Sequence, residues 1–109
     1  PLVDAKRREI ERIEAERDDL ARRIAQEADV MLADLRAMDA MHARLAGSGM
    51  QLAGERVALV TASYQAGRAD LGAVLAARTQ ALDTRMKVIE LDAQRAAMRV
   101  KLAALVAEE

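Results

Sequence analysis

From residue 4 to residue 46 the chain contains neither glycine nor proline, and its apolar residues recur at helical spacing. Ile10, Ile13, Leu20, Ile24, Met31, Leu35, Met38 and Leu45 follow one another at steps of 3, 7, 4, 7, 4, 3 and 7. This is a heptad rhythm, which predicts one long helix with a seam along one side. Arg17 and Glu27 occupy skipped seam positions and weaken it there. Asp4 is placed to cap the start, since its carboxylate can accept an orphan backbone N–H. Asp18 with Arg22, and Asp19 with Arg23, are well-oriented i,i+4 pairs, each worth roughly 0.2–0.5 kcal/mol. The run KRREIERIEAERDDLARR therefore reads as a solvated helix face. Its interleaved acids argue against a nucleic-acid arm.

Composition agrees with a chain of long helices. It has 109 residues, one Tyr and no Phe, Trp or Cys, and its single Pro is residue 1. A compact core normally draws on several aromatics for buried area. Here burial falls to Leu, Ile, Val, Met and Ala, with 32% of residues charged, a profile typical of coiled coil. The formal net charge of −1 gives no global field to attract nucleic acid or anionic lipid. Without Cys, disulfides and thiolate metal sites are excluded. No apolar run approaches the length of about 18 residues that a spanning helix needs. The Pro-Leu opening, with no initiator Met and no signal-peptide pattern, suggests a mature product or an excised piece.

Two places interrupt the pattern. Gly47-Ser48-Gly49 predicts a kink or short break, because each glycine costs a helix about 1 kcal/mol relative to Ala. Helix resumes near Met50 and runs to Ala66, with Leu52, Leu59 and Ser63 on a coarse seam and Val57 and Val60 beside it. The second interruption is YQAGRADLGAVLAAR, residues 64–78. Gly67 stands where a C′ glycine closes a helix, and Asp70 stands where an N-cap opens one. The two residues between them make a tight helix–helix turn. A third helix follows over 70–107, with Leu71, Leu75, Arg78, Leu82, Ile89, Ala93, Ala96, Val100 and Ala103 as its expected seam. Tyr64 sits one turn before the tip, where its ring could cover Leu71 or Leu75. The expectation is an all-α antiparallel hairpin with helices near 4–46, 50–66 and 70–107 and a tip turn at 67–69.

The arms are unequal. Residues 4–29 lack a partner, an overhang of about 40 Å at 1.5 Å per residue. Ile10, Ile13, Leu20 and Ile24 need cover, and the isolated chain is expected to form a two-fold dimer through them. The alternative is a break at 47–49 that folds residues 4–46 back into a three-helix bundle.

These features together resemble the outer-membrane efflux protein (TolC-like) family, and within it the heavy-metal efflux channels of the CzcC/CusC type. The opening PL with KRREIERIEAERDDLARR is similar to the entry into the second long tunnel helix. GSGMQLAGERVAL occupies the place of a Leu-Leu-Pro-Leu-Ala segment, here without the proline. The stretch from Tyr64 to Arg78 resembles the turn at the periplasmic end of the channel, and LDAQRAAMRVKLAALV the returning helix. The resemblance implies the periplasmic helical part of the second half of a trimeric outer-membrane channel. It further implies a periplasmic adaptor protein as partner and, through it, an inner-membrane cation pump. Tyr64, Gly67, Arg68, Asp70 and Leu71 would form the adaptor-contacting tip. One departure concerns the acidic ring that drug-exporting members carry just beyond the tip. The corresponding positions here are Ala73 and Ala76. The face continuing through Gln80, Asp83, Lys87, Glu90 and Gln94 is polar, as a tunnel lining or any solvated face would be.

No constellation for chemistry emerges. Met31, Met38, Met41 and His42 offer thioether and imidazole groups suited to Cu(I) or Ag(I). Met31 and Met38 lie on the seam, where Met is ordinary core filling, so no metal site is expected. No zinc spacing, no nucleophile with a base at hand and no phosphate loop occurs. The expected function is therefore non-enzymatic, without cofactor and without nucleic acid. Two alternatives stand beside the channel: the coiled-coil hairpin of a periplasmic adaptor, and a generic coiled-coil interaction module.

Overall fold

Helix α1 runs from Leu2 to Arg44 in a computed structural model that describes residues 1–107. It begins two residues earlier than the sequence suggests. Pro1 is the N-cap and no side chain caps this end. The expected cap, Asp4, instead lies in the first turn, where its charge complements the helix dipole.

Of the kink or short break expected at 47–49, the chain shows a local irregularity and no break. Leu45–Gly49 is a single π-helical turn, in which the Met50 N–H donates to the Leu45 carbonyl five residues back. Helix α2, Met50–Gln65, continues directly from it. Counting along the seam explains this turn. Before it the seam runs through Met31, Leu35, Met38, His42 and Leu45; after it through Met50, Ala53, Val57 and Val60, with Gly49 half-buried beside Met50. A heptad continuing from Leu45 would place Gly49 on the seam, but the seam resumes at Met50. The first arm thus carries one residue too many for its repeat, and a π turn absorbs one residue without rotating the rest of the helix off its partner. Gly49 permits it: a Cβ there would stand 3.3 Å from the Arg44 carbonyl oxygen. The Ser48 hydroxyl also donates to the Arg44 carbonyl, at 3.2 Å.

Helix α3, Leu71–Ala107, returns antiparallel against both α2 and α1. Its seam differs from the expected one. The residues turned inward are Val74, Ala77, Ala81, Thr84, Val88 and Leu91, continuing through Arg95, Met98, Leu102 and Leu105 at strictly alternating steps of three and four. The expected seam of Leu71, Leu75, Arg78, Leu82, Ile89, Ala93, Ala96, Val100 and Ala103 faces solvent. In α2 the same correction applies: Leu52 and Leu59 are exposed, and Val57 and Val60 take their place. α3 therefore carries two apolar stripes, and the hairpin covers the one with smaller side chains near the tip and larger ones from Leu91 onward. Ala53, Ala77 and Ala81 let the helices approach closely near the tip.

The hairpin is a rod 95 Å long and 18 by 16 Å across. Arg56 stands level with Gln80 (2.7 Å), and Asp39 level with Arg95 (2.6 Å). This register brings the end of α3 to about residue 30 of α1. The overhang is bare, with Ile10 57% and Leu20 57% exposed. α1 makes no packing contact with α2 except through the π turn, so the fold-back into a three-helix bundle is ruled out. Among the described residues, only Leu35, Val74 and Ala77 are buried.

Candidate functional site: the hairpin tip

The tip is closed by two local motifs back to back. At the end of α2 the Gly67 N–H donates to the Tyr64 carbonyl (3.0 Å) and the Arg68 N–H to the Ser63 carbonyl (2.8 Å). These are the two bonds of a Schellman motif, which satisfies carbonyls that the ending helix leaves open. Its C′ residue must adopt positive φ. Gly67 does so at 74°, the one such residue among those described. Asp70 then starts α3, its Oδ1 accepting from the Ala73 N–H at 2.8 Å, as an N-cap does at the third helical position. Arg68 and Ala69 bridge the two.

The surface follows from this backbone. A Cβ at Gly67 would meet nothing within 4 Å, so φ and not crowding demands glycine, and the backbone there is open to a partner. Arg68 is exposed and, among the described residues, engaged in no side-chain hydrogen bond or ion pair. Tyr64, Leu71 and Leu75 are 44%, 53% and 55% exposed. Leu71 and Leu75 thus stay more than half exposed, whatever cover the Tyr64 ring gives. The tip presents one aromatic, two leucines, a guanidinium and bare peptide within a few residues.

Beyond the tip, Ala73 is half-buried and Ala76 exposed, while Gln80, Asp83, Lys87, Glu90 and Gln94 all face solvent. On this face no carboxylate occurs before Asp83. The Met and His residues separate: Met38 and His42 point into the seam, whereas Met41 is 46% exposed. His42 Nε2 lies 3.7 Å from Asp92 Oδ1. Among the described residues no three His, Asp or Glu side chains converge as metal ligands would.

A polar layer crosses the middle of the rod. Arg95 occupies a seam position with its side chain only 17% exposed. Its Nε donates to Asp39 Oδ1, and its Nη1 lies 3.4 Å from Asp92 Oδ1. Arg99 adds a second donor to Asp39 at 3.1 Å. Sequence reasoning missed this layer because it placed the seam on the other stripe, where Arg95 has no role. The signal was the alternating three–four series through Val88, Leu91, Arg95, Met98 and Leu102.

Compared with family models, curated proteins and solved structures, the chain finds no match. Among the described residues, no helix is long and apolar enough to cross a membrane.

Proposed function

We propose that this chain is a periplasmic α-helical tunnel segment of a TolC-like outer-membrane channel that exports heavy-metal cations. Its tip contacts the periplasmic adaptor protein, which links it to an inner-membrane cation pump, and three full-length subunits form the channel. The supporting observation is the tip itself. A Schellman closure and an Asp N-cap hold Gly67 and Arg68 rigidly at the end of a long rod, with their backbone and guanidinium uncovered. Such a terminus suits a tip-to-tip contact, because a fixed turn loses little entropy on docking. The role is structural and non-enzymatic.

As the hairpin of an adaptor, the chain would be flanked by β segments on both arms of the parent protein. A generic coiled-coil module would use the turn only to reverse the chain. Tip exchange in the assembled channel separates these readings. Arg68→Glu leaves the backbone closure intact and should abolish adaptor co-purification and metal resistance while the channel still assembles. Full resistance with normal adaptor binding would refute the assignment.

A further inference from the structure

The geometry points to a binding site for a single-chain amphiphilic anion, such as an alkanoate, in the cleft between α2 and α3 that lies between the tip and the π turn. The cleft has a volume of about 460 Å³, within the range of roughly 300–1,000 Å³ typical of small-molecule sites. Met50 and Val57 of α2, with Ala81 and Leu82 of α3, give it an apolar wall. Arg78 and Arg85, both exposed, also line it. They stand two helical turns, about 10 Å, apart along α3.

Arg12, Arg23, Arg95 and Arg99 are each ion-paired within the chain. Arg78 and Arg85 are not. Among the described residues neither enters an ion pair or a side-chain hydrogen bond, and the residues three and four positions away from them are Val74, Leu75, Ala81, Leu82, Val88 and Ile89. No carboxylate lines the cleft. Two unneutralised cations beside an apolar wall are complementary to an anion joined to a hydrocarbon. A guanidinium can donate two parallel N–H groups to a carboxylate, and its methylene stem extends the apolar wall.

Gly54 keeps the cleft open. It lies inside α2, where glycine costs a helix about 1 kcal/mol relative to Ala. Its φ is not positive, and a Cβ there would meet nothing within 4 Å. Neither backbone conformation nor close packing demands glycine at this position, but a side chain would project into the cleft that Gly54 lines. The basic stretch is also bounded. Seven residues beyond Arg85, on the same flank, stands Asp92, which already faces His42 and Arg95. A docked acidic helix would run on to this carboxylate, whereas one alkyl chain with one charged head ends before it. The site is separate from the tip and does not depend on what the tip docks with.

Isothermal titration calorimetry of the chain with octanoate, decanoate and dodecanoate, each below its micelle concentration, tests the site. One saturable site per chain is expected, tightening about two- to fourfold with each added pair of hydrogens and carbon as a methylene is buried. Decanol and decyltrimethylammonium carry the same chain without negative charge and should bind about tenfold more weakly. Arg78→Gln and Arg85→Gln change exposed side chains and should each weaken decanoate about tenfold. Gly54→Leu should abolish binding while the unfolding midpoint holds or rises. Decanol binding as tightly as decanoate, or undiminished affinity in the Gly54→Leu chain, would overturn the proposal. Full affinity in the Arg78→Gln/Arg85→Gln double variant would do so however Gly54→Leu folds. So would the absence of saturable binding up to millimolar decanoate, or binding to phosphatidylglycerol vesicles alone. A Gly54→Leu chain that sediments as a smaller species than the parent would make the cleft a contact between copies and would likewise overturn it.

Discussion

If the π turn exists to absorb one surplus residue, deleting one residue there should be harmless. Deletion of Gly47 lets Leu45 and Met50 become adjacent seam positions of an uninterrupted α-helix. No seam residue moves to a new face, and the Met50 N–H regains a partner four residues back. Removing a glycine from a helix is itself favourable by up to about 1 kcal/mol. The variant should therefore match the parent in stability or exceed it by roughly that amount. Deletion of Ala93 is the control. α3 has no π turn to give up, so every later residue rotates by about 100°. Arg95, Met98, Leu102 and Leu105 leave the seam, and Ala96, Arg99, Ala103 and Val106 replace them. A fully buried Leu or Met contributes about 1.5–3 kcal/mol; Met98 and Leu102 are half-buried and Val106 largely substitutes for Leu105, so about 1 kcal/mol each and about 2 in all should be lost. Urea unfolding followed by circular dichroism at 222 nm compares the two. If the Gly47 deletion costs as much as the Ala93 deletion, the surplus-residue account is wrong and the seam is held by something other than heptad phase.

Three further expectations concern single groups. Gly67→Ala should cost about 1–2 kcal/mol through backbone strain alone, Gly67→Asn less and Gly67→Val more; a neutral Gly67→Ala in urea unfolding would contradict the positive φ. Asp39→Ala should destabilise by about 1–2 kcal/mol, because it strips a half-buried guanidinium of its main partner, and most of that loss should vanish in an Arg95→Met background; equal losses in both backgrounds would show that Arg95 does not depend on Asp39. The hydroxyl of Thr61 is buried without a hydrogen-bond partner, so Thr61→Val should raise stability by roughly 1 kcal/mol, and a lower thermal midpoint would mean that the hydroxyl is satisfied in solution.

The hairpin and its turn were legible because each rests on a local rule with a distinctive residue. Gly67 and Asp70 sit at the two positions where a helix end and a helix start have sharp preferences. The α1 seam from Ile24 to Leu45 was also legible, since only one apolar stripe is continuous there. α3 misled because it has two. The larger side chains, Leu75, Leu82 and Ile89, draw the eye to the stripe that the hairpin leaves open. The covered stripe contains Ala77, Ala81, Thr84 and Arg95, which periodicity alone ranks as weak. What selects it is tertiary: the exit direction set by the Asp70 cap, close approach at the alanines, and the Asp39–Arg95 pair. The π turn was illegible for a related reason. A surplus residue appears only when the seams on both sides of it are known, and periodicity places the α2 seam on Leu52, Leu59 and Ser63, of which only Ser63 is half-buried.

The misreading of α3 bears on what this chain requires. Two helices in contact bury one stripe each, and here that leaves three of the described residues buried in a rod of 95 Å. Most of the stability of a protein helix comes from packing its apolar face, not from its intrinsic propensity. Leu52, Leu59, Leu75, Leu82 and Ile89, as large as the seam's own Leu35, Leu45, Leu91 and Leu102, all stand outside that seam. Their exposure is not scattered, as single surface leucines commonly are. It follows a seven-residue repeat on α3 and recurs at the same interval between Leu52 and Leu59. A repeat of that period along a straight helix marks a face shaped for another helix. Cover for that face should raise the stability of the hairpin itself, so the unfolding midpoint of the chain should rise with protein concentration. A midpoint unchanged from micromolar to millimolar chain would mean that one thin seam suffices.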